Sequence, residues 1–267
     1  MDNRWRTTAA LGLTIVFVAP LLFMVLGSLR PPGLPPPDGF ALLPERFTID
    51  TYRFVFLFIP LARQMLNSLF VVAVAVPLTV IIASWAGFAI ATAAPRVRRW
   101  LIVVTVAAMM VPVTALWVPR FVLLRSIGLT DTLWSLMTPA LMATSPFYVL
   151  IFALAYSRVP QQIYEAAALD GWSSIQVWKR VAFPLAKPAA FAVAVLAFVA
   201  HWSNFVDALL YVSDPALATV PLGLRSLQTL EPANFPLLLA AAAFATIPPV
   251  VAFVLAQRAF FKRTLDV

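Results

Sequence analysis

Six long, nearly uncharged stretches divide the chain, and the charged residues gather between them. They cover residues 7–29, 64–94, 100–121, 132–157, 188–212 and 233–257. Each approaches or exceeds the ~20 residues that a helix needs to cross ~30 Å of hydrocarbon. Strands are not expected: a membrane barrel alternates apolar and polar positions over about 10 residues. Valine and isoleucine do not argue otherwise, because backbone groups in lipid must be satisfied within the segment itself. The expectation is an all-α, polytopic membrane protein with six transmembrane helices in one domain spanning residues 1–267. Interior prolines, Pro20, Pro77, Pro112, Pro139 and Pro248–Pro249, predict kinks. The first stretch exceeds the apolar core of a signal peptide and lacks a small-residue cleavage site before the next polar segment, so it is expected to be a retained helix.

Composition agrees. Of 267 residues 62% are hydrophobic and 11% charged, against ~45–50% and ~25% in soluble domains. A water-soluble globule of this length could not hide so much apolar surface. There is no cysteine and one histidine, His201, which excludes disulfides, thiolate sites and multi-histidine metal sites. The net charge of +8 need not mean nucleic acid, because membrane proteins concentrate Lys and Arg in cytoplasmic loops. With the amino terminus inside, twelve of the 19 basic residues fall in inner segments and seven, Arg120 among them, in outer ones. Both termini are therefore expected in the cytoplasm.

One connection has its own helical pattern. Residues 158–187 read "RVPQQIYEAAALDGWSSIQVWKRVAFPLAK". Pro160 suits the start of a short helix, Gln161 to Leu169 are good helix formers, and Gly171 stands where a left-handed stop is expected. Ser173 or Ser174 can cap a second helix, which Pro184 and Pro188 should end. The pattern alone fits equally an ordinary surface hairpin of helices.

The segment "EAAALDGWSSIQVWKRVAFPLAKP" resembles the EAA loop of permease subunits in binding-protein-dependent ABC importers. Glu165, Ala166, Ala167, Gly171, Val181, Phe183 and Pro184 take the pattern's positions at its spacing. Leu169 and Asp170 lie between its fixed points. "FTIDTYRFVF", "LNSLFVV", "MMVPVTALWVPRFVLLRSIGLTDTLWSL" and "ATVPLGLRSL" are similar to the six-helix subunit of the maltose-type sugar branch, although that branch's Trp-Asn pair is here Trp202-Ser203. The resemblance implies a type I importer permease in the inner membrane of a bacterium or archaeon. It also implies a second homologous permease, two ATPase subunits and an extracytoplasmic sugar-binding protein as partners. Glu165 would then pair with a basic residue in an ATPase cleft, with Ala166 and Ala167 allowing close approach. No phosphate-cradling Gly-x-x-x-x-Gly-Lys stretch occurs, so ATP and Mg are expected on the partner ATPase and no cofactor on this chain. The substrate would be a sugar or oligosaccharide, or alternatively a phosphorylated polyol or non-sugar. A stand-alone secondary transporter should show an inverted repeat and more intramembrane charge. An intramembrane enzyme should show a nucleophile–base pair.

The fifth stretch carries the remaining candidates. His201, Asn204, Asp207 and Tyr211 follow at steps of three, three and four, which would align them on one face of a continuous helix, beside Trp202. An acid within a span usually faces protein or water, so this face is either a substrate pathway or a structural network. Asn67 and Ser68 read as polar groups joining helices.

Overall fold

The computed structural model describes residues 3–37, 44–141 and 145–264. Among them the regular structure is entirely helical. Three helices are long and apolar enough to span a bilayer, and the number reaches six when each sharply bent helix pair counts as one span.

The chain forms two compact units, changing between them within helices and loops after Leu66, Ala218 and Val250. The first unit contains α1 (Asn3–Ser28), α2 (Asp50–Phe58) and the start of α3 (Leu61–Thr92). Numbered here by their order in the whole chain, α13 (Val220–Leu230) and the first half of α14 (Phe235–Thr264) complete it. Its core joins Val55, Ile59 and Leu61 to Leu227, Leu237, Ala240 and Ala241. Phe244 receives the rings of Tyr52 and Phe56 edge-on at 5.3 and 5.2 Å. The connections at residues 31–63 and 213–231, outer segments by the charge count, each supply a short helix, α2 and α13. Both are amphipathic, so an apolar stripe can pack while polar residues stay outside. The proline-rich start of the first of these connections, from Pro31, is tied down: Asn234 Oδ1 accepts from the Gly33 N–H at 2.8 Å, and the Phe235 N–H donates to the Leu34 carbonyl at 3.0 Å. Gly223 permits a close approach, since a Cβ there would collide with the Gln64 side chain.

The second unit holds the rest of α3, then α4 (Pro95–Met109), α5 (Val113–Ser126), a 3-10 turn (Leu133–Met137) running into α6 (Thr138–Leu141), and α7 (Pro146–Ser157). The loop follows with α8 (Gln161–Leu169), α9 (Ser174–Val177), a π-helical turn (Trp178–Ala182) and α10 (Phe183–Leu185). Then come α11 (Lys187–Trp202) and α12 (Val206–Tyr211). The core of this unit gathers Phe88, Val149, Phe152, Tyr156, Ala182 and Val193.

Among the described residues three expected spans are not single helices. The 100–121 stretch breaks at Met110–Pro112, and α4 and α5 meet at 90°. Proline at 112 cannot donate an amide hydrogen, and its ring disfavours a helical conformation at Val111. Pro20, Pro77 and the Pro248–Pro249 pair instead lie within continuous helices, whose freed carbonyls and flanking turns can adjust locally. The 188–212 stretch breaks at Ser203–Phe205. The 132–157 stretch is helical at 133–141 and 146–157, and residues 142–144 lie outside the described residues.

Candidate functional site

Two polar assemblies in the second unit contain the residues singled out above. In the loop, α8 ends in a Schellman motif. The Trp172 N–H donates to the Ala167 carbonyl at 3.1 Å and the Gly171 N–H to the Ala168 carbonyl at 3.0 Å. Gly171 adopts φ +74°. Open space surrounds the position of a would-be Cβ, so backbone conformation alone demands glycine there. The chain then restarts at once. Ser173 Oγ accepts from the Gln176 N–H, and Gln176 Oε1 accepts from the Ser173 N–H at 2.8 Å, a reciprocal capping box. Pro184 does not end this second helix. The turn before it widens, with the Phe183 N–H donating to the Trp178 carbonyl five residues back. A π turn relieves the clash between a proline ring and the preceding turn. The segment stops at Ala186, and α11 leaves it at 82° with Pro188 in its first turn.

The inner face of the loop is anchored. Trp178 Nε1 donates to Ser84 Oγ at 2.9 Å, and Ser84 Oγ lies 2.5 Å from Tyr156 Oη. Trp85 and Phe183 contact the Trp178 ring, and Phe88 contacts both Tyr156 and Tyr164. The Tyr164 hydroxyl donates to the Tyr156 carbonyl at 3.2 Å. Burial, reinforced by the Tyr156 phenol, pushes the Tyr164 phenol up to about 12. The outer face is bare. Leu169 is 89% exposed, and Ala166, Asp170 and Gly171 are exposed beside it. Glu165 is exposed and accepts from Gln161 Nε2 at 2.8 Å. The alanine pair splits: Ala166 faces out, while Ala167, 7% exposed, joins the core. Ala167 therefore cannot line an outer contact as expected.

The second assembly lies at the break between α11 and α12. It corrects the expectation of one aligned helical face, because the helix ends before Asn204. The Asn204 side chain accepts from the Asp207 N–H at 3.2 Å and donates Nδ2 to Asp207 Oδ2 at 2.9 Å. It thereby holds the first turn of α12 and its carboxylate. That carboxylate faces Arg120 Nη1 at 3.4 Å. Both residues are buried, at 5% and 6% exposure. The charge count had placed Arg120 among flanking loop residues; the structure corrects this. Arg120 follows the break at Pro112 and is turned inward with α5. Two opposite charges, one in the third apolar stretch and one in the fifth, were the available signal, since intramembrane charges pair. Tyr211, fully buried, stacks on Phe121 at 6.4 Å, and its carbonyl accepts from the Asp131 N–H at 2.8 Å. His201 and Trp202 turn elsewhere. His201 Nε2 lies 3.4 Å from Thr79 Oγ1, and Trp202 stacks on Phe198. Asn67 joins α3 to the short 3-10 turn at Pro215–Leu217 rather than to another span, donating Nδ2 to the Ala216 and Ala218 carbonyls at 3.0 and 2.9 Å. No group of three metal-ligating side chains occurs among the described residues.

Residues 80–266 match the family described as binding-protein-dependent transport system inner membrane component. The arabinooligosaccharides transport system permease protein AraQ of Halalkalibacterium halodurans is 28% identical, over 96% of this chain and 92% of that protein. The sulfoquinovosyl glycerol transport system permease protein SmoH of Agrobacterium fabrum is 27% identical, over 94% and 88%. A bacterial ABC transporter involved in import of the acidic polysaccharide alginate contains a chain with a TM-score of 0.76 to this one. It is 18% identical and covers 97% of this chain and 99% of that one, a likeness of fold.

Proposed function

The chain belongs to the binding-protein-dependent transport system inner membrane components, and from that premise we propose that it moves a sugar or oligosaccharide into the cytoplasm. It is a permease subunit of an ABC importer rather than an enzyme, and ATP hydrolysis belongs to a separate subunit. An inner-membrane location and dependence on an extracytoplasmic binding protein come with the family. The carbohydrate substrate is supported by the two curated relatives, which match along nearly the whole chain.

Our reading of the coupling step rests on one observation. Leu169 projects almost fully exposed from a helix whose opposite face is locked into the protein. Covering such a side chain is worth about 1.5–3 kcal/mol, and the loop offers it beside Glu165 and Ala166. The occupant is one of two ATPase subunits, each with ATP and Mg, and a second homologous permease completes the pathway. Closure of the ATPases would drive the loop as a rigid lever. A lever must be stiff, and the Schellman stop, capping box and Trp178–Ser84–Tyr156 chain provide that stiffness. In this reading both termini and the loop are cytoplasmic, and a reporter fused after Arg99 or Gly171 reads as inside. In this reading Arg120 neutralises the intramembrane charge of Asp207 within the protein.

The test is uptake by proteoliposomes holding the full complex, its binding protein and internal ATP, against a panel of labelled oligosaccharides, monosaccharides and glycerol phosphate. Uptake of a glycoside that needs both ATP and binding protein is expected. Uptake of glycerol phosphate alone would overturn the carbohydrate reading.

A further inference from the structure

A groove of about 750 Å³ runs beside α8, and its two ends differ in chemistry. One end carries Arg98 and Arg99, the fourth and fifth residues of α4. That helix has no side-chain cap at Ala94 and begins with Pro95, so its remaining free N–H groups add positive potential. Arg98 is half-buried and donates to Ser157 Oγ at 2.8 Å, which fixes its position. The other end is walled by Ile102 and Val103. The acidic group on the lining is Glu165, across the groove on α8 and engaged by Gln161. Tyr164 presents its ring from the same helix.

The position matters as much as the composition. The arginines follow the tight turn at residues 93–94, between α3, long enough to span a bilayer, and the bent span that starts at Pro95. That turn marks a membrane edge. Val103 lies four to five residues further along α4, about 6–8 Å deeper at 1.5 Å per residue. A free phosphate would satisfy the arginines and leave the apolar wall wet. An amphiphile with an anionic head fits both ends. We propose that this groove binds an anionic phospholipid, its phosphate between Arg98 and Arg99 and an acyl chain along Ile102 and Val103. Because α8 forms one wall, the lipid rests against the helix that carries Glu165 and Leu169. The site depends on membrane embedding and not on the coupling role proposed above, so the two stand or fall separately.

The experiment uses the purified full chain, delipidated in detergent, exchanged into phosphatidylcholine with phosphatidylglycerol, and weighed by native mass spectrometry. Retention of phosphatidylglycerol over phosphatidylcholine is expected, unaffected by excess inorganic phosphate or glycerol phosphate. Arg98→Ala with Arg99→Ala should lower it by about tenfold or more, and Arg99→Gln alone by about fivefold. Arg98→Lys with Arg99→Lys should retain most of it. Arg96→Ala, a charge off the groove lining, should leave it unchanged. Equal retention of both lipids, displacement by free phosphate, or an equal loss in the Arg96 variant overturns the proposal. If the double alanine variant does not fold, unchanged retention in Arg99→Gln overturns it. Unchanged retention of phosphatidylglycerol in the double alanine variant would likewise overturn it.

Discussion

The loop at 158–187 and the broken helix at 187–212 adjoin in sequence and share one compact unit, yet they satisfy polar groups in opposite ways. The ends of the loop helices bond to residues three to five positions away, through Gly171, Trp172, Ser173 and Gln176. At the break, Asn204 acts locally, but the Asp207 charge is met by Arg120, 87 residues earlier. Local bonds set the bend and the cap of the loop, and one bond across 94 residues, Trp178 to Ser84, anchors it to the rest of the unit. A long-range ion pair holds only while two helices keep their places. The first suits a part that transmits force and the second a part that rearranges during alternating access.

The comparison breaks most readily at the ion pair. Asp207→Ala leaves a guanidinium buried without its partner and should destabilise the protein by about 3–5 kcal/mol. Thermal unfolding in detergent will show it, and Arg120→Met combined with Asp207→Leu should recover most of the loss. A double variant no better than the single would mean that the two charges are not energetically coupled. Trp178→Phe keeps the ring packing but removes the donor to Ser84, at about 1–3 kcal/mol for a buried group left short of a partner. Limited proteolysis should then cut within 158–187 sooner, with Asp207→Ala leaving that site untouched. Equal protection in wild type and Trp178→Phe would show that the loop is stiff without its anchor.

Gly171→Ala sharpens the local half. Space exists for the methyl group, so the cost is the positive φ alone, about 1 kcal/mol. Stability should barely change, while binding-protein-stimulated ATPase activity falls in the reconstituted complex. An unchanged rate of stimulation would separate the loop bend from coupling. The smallest effect concerns Tyr164. Its folded pKa of about 12 lies above the ordinary value of 10, so its contribution is complete below pH 10. It fades as pH rises towards 12, where the unfolded chain has already lost the proton. Absorbance titration should place phenolate formation late, and Tyr164→Phe should remove that share of the alkaline loosening. A phenol titrating near 10 would mean that its packing against Phe88 and Tyr156 is open in solution.

By itself the sequence determined the helical class, the membrane setting and the loop architecture. Twenty-residue apolar runs leave the backbone no other way to meet its hydrogen bonds in lipid. Glycine after Leu169–Asp170 and serine three residues before Gln176 are local instructions, executed by neighbours within one turn. The family pattern around Glu165 and Gly171 could be read for the same reason. Only the tertiary structure decided where apolar runs break, which alanine faces inward and which charges meet. Apolar composition is the same on both sides of Met110–Pro112 and of Ser203–Phe205, so hydropathy cannot register a bend there. Ala166 and Ala167 are chemically identical, and burial separates them only once α8 lies on the Phe88–Tyr156 cluster. Arg120 resembles any arginine at the end of a span until the chain folds back and brings Asp207 to it. Pairing across 87 residues depends on how several helices pack together, and no local pattern encodes that distance.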